Sequence, residues 1–395
     1  MKDLADLTLT DLWKEVKDEE NIWGDLKLEA QQVLKKLIRG VLEVEMVNYL
    51  QAEKHERTEN RISYRNGCYF RDLETSLGLI TELEVPRSRD GGFEPTVFEY
   101  YKRRQREVEQ TIKDMFLAGV STRRVGEVIR PLLGFEVSAT TVSSICKSLD
   151  REVKKYHERL IEDKYLYLFL DGITLKARNV LEVKKRIVLC AHGITCKGKR
   201  ELISFRQARS ESEEAWQAFL NDLYSRGLKG KHLSLIIVDG CPGLLKALDI
   251  VYPYIPIQRC WVHKLRNVAN KLPQRKQEEV LKGAKAIYKA ENKKEALRLY
   301  WEWAKAYRKS YPEAVECLEK DIDGLLSFMD FPRKHWIKIR TTNIIERSFR
   351  EVRRRTRPMS SFSNYRSVDR IIYGIIHYLN SKWEKKPLKE FTQLS

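Results

Sequence analysis

The pattern of apolar and polar residues divides the chain into blocks with different periods. Over residues 26–50, apolar side chains fall near helical spacing, which predicts a long helix with one apolar stripe. The stripe consists of Val33, Leu34, Leu37, Ile38, Val41, Leu42 and Val44. Because a leading helix must bury such a face against something, two interpretations stay open: packing within the chain, or self-association.

Two runs rich in β-forming residues follow. Residues 68–77 and 79–85 are separated at Gly78 and closed by Pro86, which predicts a β-hairpin. Beyond the hairpin, residues 100–106 place basic side chains beside aromatic rings. A cluster of this kind is either a solvated surface or a phosphate contact, and its pattern favours neither.

Residues 107–160 predict a helix-turn-helix unit built from helices at 108–117, 121–132 and 138–158. Ser121 and Ser138 are suitable N-caps, and Gly119 suits the tight turn between the first two helices. The third helix begins with small hydroxylated side chains, which fit a DNA groove. The candidate DNA contacts of this unit are Arg123, Arg124, Thr140, Thr141 and Lys147. A plain packing unit is the alternative.

Two apolar runs in the centre of the chain, 164–172 and 232–240, each end in Asp-Gly. They predict buried strands of a sheet that is covered on both faces. Between them, 186–194 and 201–207 predict two more strands, and 212–226 predicts an amphipathic helix. A helix at 244–248 and a short strand at 254–258 follow. This order matches an α/β fold of the ribonuclease H-like type, with a mixed sheet whose first three strands are antiparallel.

If the first and fourth strands are neighbours, their ends place Asp171 and Asp239 side by side. One Asp-Gly after a strand usually only begins a turn, but two adjacent carboxylates repel each other unless a cation lies between them. Hard oxygen ligands suit Mg²⁺, and a pair of such ions can serve phosphoryl transfer. The two aspartates therefore predict a magnesium site.

A third carboxylate is expected from a helix, and Glu346 is the candidate because it stands near a polar helix start. The residues that follow it are rich in arginine: Arg347, Arg350, Arg353, Arg354, Arg355 and Arg357. Helical spacing keeps several of them close to the face of Glu346. The run is interpreted as a phosphate-binding helix, with a solvated helix carrying an internal ion pair as the alternative.

Composition and charge narrow the class of protein. The chain of 395 residues carries a net charge of +18, which indicates a polyanionic partner, and its hydrophobic content of 42% excludes global disorder. Residues 1–60 hold nine basic and fourteen acidic side chains, so this segment is −5 and the remainder is +23. No run is long enough for a membrane helix, the acidic start lacks a signal peptide's features, and the seven scattered cysteines suggest reduced thiols. We expect a cytoplasmic, nucleoid-associated protein.

Several motifs together resemble the mutator-type transposases of bacterial insertion sequences. The resemblance rests on the two Asp-Gly pairs, on Arg259-Cys260-Trp-Val-His263 and on Thr341-Thr-Asn-Ile-Ile-Glu346-Arg. Upstream, Arg65-Asn-Gly, Val85-Pro-Arg-Ser-Arg and Gly119-Val-Ser-Thr-Arg-Arg124 also fit. The resemblance implies a ribonuclease H-like domain with an Asp-Asp-Glu triad at Asp171, Asp239 and Glu346. It further implies an α-helical insertion before the glutamate, in agreement with the helix-rich segment 273–335.

The resemblance also implies the reaction and its partners. We expect metal-dependent cleavage and strand transfer on double-stranded DNA, with terminal inverted repeats and target DNA as substrates and two Mg²⁺ ions, replaceable by Mn²⁺, in each active site. Because two element ends must be brought together, a homodimer is expected. Cys260 and His263 are spaced like half of a zinc site without a second pair, so we expect them to support the active site, or to contact DNA, rather than to hold a structural zinc.

The expected domains follow the chain: a helical segment at 1–60 with a candidate dimerisation role, a β-hairpin and basic segment at 61–106, and the helix-turn-helix at 107–160. The catalytic core then occupies 161–272 and 336–395, interrupted by the insertion at 273–335. Within the insertion, Trp301 and Trp303 are either packing residues or a stacking platform for an unpaired base. Two rival functions stay open: a structure-specific nuclease of the same fold, and a catalytically silent DNA-binding protein.

Overall fold

The computed structural model describes residues 22–98, 104–178, 183–357, 362 and 364–392. The chain divides into two compact units. The first comprises Met1–Phe116 and Val120–Lys147, and the second comprises Leu117–Gly119 and Ser148–Ser395.

The first unit begins with a helix that packs on a hairpin. Helix α1 is Ile22–Leu50, and strands β1 (Arg65–Thr75) and β2 (Gly78–Ser88) pair antiparallel. The expected apolar stripe of α1 is only partly buried. Ile38 and Leu42 are buried in a cluster with the hairpin, whereas Leu37, Val41 and Val44 are 51%, 46% and 61% exposed.

The hairpin is confirmed, but its second strand does not end at Pro86. Strand β2 continues to Ser88, and Pro86 pairs with Cys68 in the register. Proline has no N–H to donate, so it is tolerated where the neighbouring strand does not need that hydrogen bond.

Helices α2 (Arg106–Leu117), α3 (Thr122–Leu133) and α4 (Ala139–Lys147) follow. Both predicted N-caps are present: Ser121 accepts a hydrogen bond from the backbone N–H of Arg124, and Ser138 accepts one from that of Thr141. The expectation of one continuous helix over 138–158 is wrong. The stretch breaks at Ser148, and α5 (Leu149–Glu158) belongs to the second unit. Serine is a weak helix former because its hydroxyl competes for backbone hydrogen bonds.

A five-stranded mixed sheet forms the centre of the second unit. Its strands are β3 (Tyr165–Arg178), β4 (Val183–Thr195), β5 (Arg200–Ala208), β6 (Leu235–Val238) and β7 (Ile257–Arg259), in the order β5-β4-β3-β6-β7. The first three are antiparallel, whereas β6 lies parallel to β3 and β7 parallel to β6. Helices α6 (Glu213–Ser225) and α7 (Pro242–Val251) precede β6 and β7. The predicted α/β class with a mixed sheet is confirmed.

Strand periodicity assigns the side chains of the sheet to two faces, and both are covered. Leu168, Leu170, Ile236 and Val238 pack in one cluster with residues of α6 and α7. On the other face, Tyr167 donates or accepts a hydrogen bond with Nδ1 of His335 at 2.9 Å. This second face is the one that carries the candidate carboxylates.

Helices make up the rest of the second unit. They are α8 (Trp261–Ala269), α9 (Gln274–Ile287), α10 (Lys293–Tyr307), α11 (Pro312–Glu319), α12 (Ile322–Leu326), two 3₁₀ turns (Ser327–Asp330 and Arg333–His335), α13 (Trp336–Ile339), α14 (Asn343–Thr356), α15 (Tyr365–Glu384) and α16 (Lys389–Thr392). The helix-rich character expected for 273–335 is therefore present. Among the helices that the structure describes, none has the length and apolarity needed to cross a bilayer.

Candidate active site

Asp171 and Asp239 lie next to each other across the junction of β3 and β6. The parallel register pairs Leu170 with Val238, and Asp171 and Asp239 are the residues that follow them in the chain. The expectation that both carboxylates stand at strand ends is wrong for Asp171. Strand β3 continues to Arg178, and Asp171 pairs with Cys190 of β4. The long antiparallel pairing with β4 sustains β3 beyond the point where β6 stops.

Backbone hydrogen bonds hold both aspartates. Oδ1 of Asp171 accepts from the N–H of Gly172 at 2.8 Å, and Oδ1 of Asp239 accepts from the N–H of Cys241 at 2.9 Å. Asp171 is 8% exposed. Burial, with the charge of Asp239, raises the pKa of Asp171 to about 7, against the hydrogen bond from Gly172. An anionic carboxylate at this position therefore needs a nearby positive charge.

Glu346 joins this site from the first turn of α14. Its side chain is one-third exposed, and Oε1 accepts a hydrogen bond from the hydroxyl of Thr342 at 2.8 Å. Its charge also contributes to the raised pKa of Asp171. Asp171 therefore interacts electrostatically with both of the other predicted acids.

Cys260 and His263 lie beside Glu346. Cys260 follows β7 directly, is fully buried, and its Sγ accepts the backbone N–H of Thr342 at 3.3 Å. Burial alone would raise the pKa of Cys260, but hydrogen bonds from His263 and Thr342 lower it. The same hydrogen bond between Cys260 and His263 raises the pKa of His263 to about 9. The interaction with Cys260 therefore favours the protonated imidazole of His263.

These two side chains and Glu346 also form a group with metal-ligand spacing. One ligand atom from each lies within 4.8 Å of the other two. A sulfur, nitrogen and oxygen donor set suits a transition metal rather than Mg²⁺. His263 Nδ1 lies 3.9 Å from Oε1 of Glu346, so the two motifs that carried the sequence resemblance meet at one point.

Sequence reasoning missed two residues of this site. Glu211 precedes α6, and its carboxylate lies directly over Gly172, where a side chain at residue 172 would collide with it. Burial and the charge of Asp239 raise the pKa of Glu211. In the sequence it is one acid within an acid-rich segment, with no signal that separates it from its neighbours. Thr342 stood inside a recognised motif, but without a role.

The predicted DNA contacts of the first unit are mostly accessible. Arg123, Arg124, Thr140 and Lys147 are exposed. Thr141 is half-buried, and its hydroxyl lies 2.9 Å from that of Ser138.

The arginines after Glu346 do not all face solvent. Five of the six are exposed: Arg347, Arg350, Arg353, Arg354 and Arg357. Arg355 is 6% exposed, donates to Glu351 at 2.6 Å and stacks over the ring of Tyr378 at 4.7 Å. Its guanidinium supports the protein interior, which the sequence pattern did not distinguish.

The two tryptophans of helix α10 also differ. Trp303 is buried and donates to the carbonyl of Val280 at 2.9 Å, as a packing residue does. Trp301 is 59% exposed.

Comparison with known proteins identifies the family. The profile of the family described as "Transposase, Mutator family" matches residues 9–386. The chain belongs to the mutator family of transposases. Transposases of this family act on DNA, and membership implies an enzyme that cleaves DNA and transfers strands.

Similar transposases occur in distant bacteria. The transposase for insertion sequence element ISRM5 of Rhizobium meliloti is 36% identical over 89% of this chain and 88% of its own length. The transposase for IS256 in transposon Tn4001 of Staphylococcus aureus is 34% identical over 90% of both chains. The transposase for IS905 of Lactococcus lactis is 31% identical over 91% of both. The match to this transposase family thus spans both units.

Proposed function

We propose that the chain is the transposase of an insertion sequence and that Asp171, Asp239 and Glu346 form its catalytic triad in a ribonuclease H-like core. The observation that carries the proposal is the placement of Asp171 and Asp239 one residue beyond the paired Leu170 and Val238. Glu346, from a separate helix, is close enough to raise the pKa of Asp171. The helical segment 273–335 is the insertion of that core.

Carboxylate oxygens are the ligands that divalent magnesium prefers. Burial, together with the charges of Asp239 and Glu346, raises the pKa of Asp171, so a bound cation would favour its ionised form. Asp171, Asp239 and Glu346 would hold two Mg²⁺ ions, with Mn²⁺ as a substitute. When bound, such ions activate the attacking oxygen and stabilise the leaving oxygen of a phosphoryl transfer.

The carboxylates stay fixed while the substrate changes. Backbone hydrogen bonds from Gly172 and Cys241 orient Asp171 and Asp239. In the first step, water attacks the scissile phosphate and releases a 3′-hydroxyl. In the second, this hydroxyl attacks a phosphodiester of the target DNA: a new P–O bond forms, the bond from that phosphorus to the target's 3′-oxygen breaks, and the target strand leaves with a 3′-hydroxyl. Neither step needs a covalent bond to the protein.

The exposed basic residues are proposed to bind the DNA. The helix-turn-helix of the first unit would recognise the terminal inverted repeats through Arg123, Arg124, Thr140, Thr141 and Lys147. The exposed arginines of the segment after Glu346 would neutralise phosphates near the site. This reaction places the protein at the chromosome in the cytoplasm.

A homodimer is proposed through α1. Leu37, Val41 and Val44 follow helical spacing and are all about half exposed or more, although Ile38 and Leu42 of the same helix are buried. A second copy of this row would cover the apolar surface. The Val41→Glu variant should then shift the sedimentation coefficient from dimer to monomer, whereas Glu43→Gln on the same helix should not. A monomeric wild type would exclude this interface.

The triad is tested by strand cleavage and joining on oligonucleotides that carry the element's terminal repeats, with Mg²⁺ or Mn²⁺. The Asp171→Asn variant should lose both activities. The same change at Asp249, an exposed residue of α7, is the control and should leave them unchanged. Equal activity of wild type and Asp171→Asn would refute the triad.

The same assay separates the rival functions. A structure-specific nuclease would cleave these oligonucleotides without joining them. A catalytically silent DNA-binding protein would bind them and do neither. The chain retains all three acids, which argues against a catalytically silent DNA-binding protein.

A further inference from the structure

We infer that Thr342 is a positioning residue that orients Glu346 for the metal site and is itself held in place by Cys260. This inference rests on the proposed function, because Glu346 matters to Thr342 only as a member of the triad. It assigns a function to the hydroxyl of the Thr-Thr-Asn-x-x-Glu motif and to the buried thiol.

The hydroxyl of Thr342 donates a hydrogen bond to Glu346. Thr342 is fully buried, and its Oγ1 lies 2.8 Å from Oε1 of Glu346, compared with 3.3 Å from Sγ of Cys260 and 3.5 Å from Nδ1 of His263. A hydroxyl has one proton to donate, and the carboxylate is the nearest and most strongly accepting partner. The lone pairs that remain can accept from His263.

Thr342 stands at the start of α14, where a threonine side chain usually makes a different hydrogen bond. Threonine at an N-cap ordinarily accepts a hydrogen bond from a backbone N–H of the first turn. Thr342 is the N-cap of α14, but its side chain makes no such bond. Its carbonyl accepts the N–H of Glu346 at 3.1 Å, the ordinary first bond of a helix, so residues 342 and 346 lie on the same side of the helix. The hydroxyl of Thr342 therefore bonds to the carboxylate of Glu346 and does not cap the helix.

Cys260 holds the backbone of Thr342 in place. Its fully buried Sγ accepts the backbone N–H of Thr342 at 3.3 Å, and its own N–H donates to the carbonyl of Val238 at 2.8 Å. Val238 immediately precedes Asp239. A continuous path therefore joins the strand that carries Asp239 to the helix that carries Glu346 through Cys260 and Thr342. This path sets the separation of two metal ligands that come from distant parts of the sequence.

The experiment measures Mn²⁺ binding to the DNA-free protein by electron paramagnetic resonance. Thr342→Val keeps the shape and removes the hydroxyl, and we expect its Kd for Mn²⁺ to rise about tenfold or more, as is usual when a group that supports a metal ligand is lost. Thr342→Ser keeps the hydroxyl and should stay within about twofold of wild type. Thr356→Val, at a buried threonine near the other end of α14, is the matched control and should not change binding.

A purely structural role predicts a different result. If Thr342→Val binds Mn²⁺ like wild type, or if Thr342→Ser is as weak as Thr342→Val, the inference is wrong. Melting of the metal-free proteins reports folding, and if the valine variant does not fold, Thr342→Ala and Thr342→Ser form a pair that differs by the hydroxyl alone. Equal Mn²⁺ affinity in that pair would also overturn the inference.

Asp171→Asn distinguishes this failure from failure of the proposed function. If Asp171→Asn binds Mn²⁺ as well as wild type does, or wild type binds none, the metal triad itself is wrong. If Asp171→Asn loses binding while Thr342→Val keeps it, only the role of Thr342 is wrong.

Discussion

The glycines that follow Asp171 and Asp239 have different backbone conformations. Gly172 continues the extended strand β3, and its missing side chain leaves room for the carboxylate of Glu211. Gly240 lies two residues beyond β6 and has φ +97°, a conformation that L-residues rarely adopt. The sequence shows two identical Asp-Gly pairs, and the register places the two aspartates next to each other, as expected. It does not distinguish the glycines, because pairing with β4 alone decides that β3 continues.

Replacing Gly240 with alanine tests this backbone constraint. The variant should lose about 1–3 kcal/mol of stability, because the backbone is strained and the new Cβ meets the guanidinium of Arg259. Urea unfolding followed by tryptophan fluorescence measures the change. Gly40→Ala is the control, since Gly40 lies inside α1 with no atom within 4 Å of its added Cβ, and it should be neutral or slightly stabilising. Equal losses in both variants would contradict the constraint.

His192 provides a second test at the level of one side chain. It is fully buried between the rings of Phe169 and Trp383, and neither ring nitrogen has a hydrogen-bond partner among the described residues. Burial lowers the pKa of His192 to about 3. Because the unfolded chain binds a proton at about pH 6.5, stability is lost as the pH falls below that value.

Between pH 7 and pH 5, wild type should lose about 2 kcal/mol more stability than His192→Leu, which has no proton to bind. The difference between variants cancels the titration of other groups, including Asp171. Urea midpoints at the two pH values give the measurement. His232→Leu makes the same change at an exposed histidine and should keep the wild-type dependence. Parallel profiles for wild type and His192→Leu would show that His192 does not sense pH.

At the scale of elements, the segment that carries Cys260 and His263 is anchored by a buried ion cluster. Asp321, next to α12, accepts from Arg259 of β7 at 2.8 Å and pairs with Lys264 of α8. Asp321 and Lys264 are both nearly buried. The element order and the helices of the insertion were predictable from periodicity. This cluster was not, because its acid and its bases are about sixty residues apart and meet only in the folded core.

Breaking the cluster should loosen this anchor. Asp321→Asn leaves two cations without their counter-charge in the interior, so we expect a loss of about 3–5 kcal/mol. Glu313→Gln, which removes an exposed partner of Lys271 at 2.9 Å, should cost less than about 1 kcal/mol. Chemical denaturation of both variants makes the comparison. A loss at Asp321 as small as that at Glu313 would mean that the buried pair contributes little.

At the scale of the whole molecule, charge is distributed unevenly. The first 60 residues are acidic and the remainder carries the excess of basic residues, a distribution that follows directly from the sequence. Which arginines are free to meet DNA does not follow, because it depends on tertiary partners. Arg355 belongs to the same basic run as Arg353, yet Glu351 and Tyr378 hold it inside. The number of basic side chains that can contact DNA is therefore smaller than the number in the sequence.

The salt dependence of DNA binding measures that number. If Arg353 and Arg354 each contact a phosphate, replacing both with glutamine should reduce the slope of log K against log salt by about 1.8, at about 0.9 for each contact. Lys36→Gln with Lys54→Gln removes the same charge from exposed positions of the acidic segment and should leave the slope unchanged. Fluorescence anisotropy with a labelled duplex over a series of salt concentrations gives both slopes. If the two double variants change the slope equally, net charge rather than the arginines of α14 determines binding, since a general field acts on DNA wherever the charge is removed.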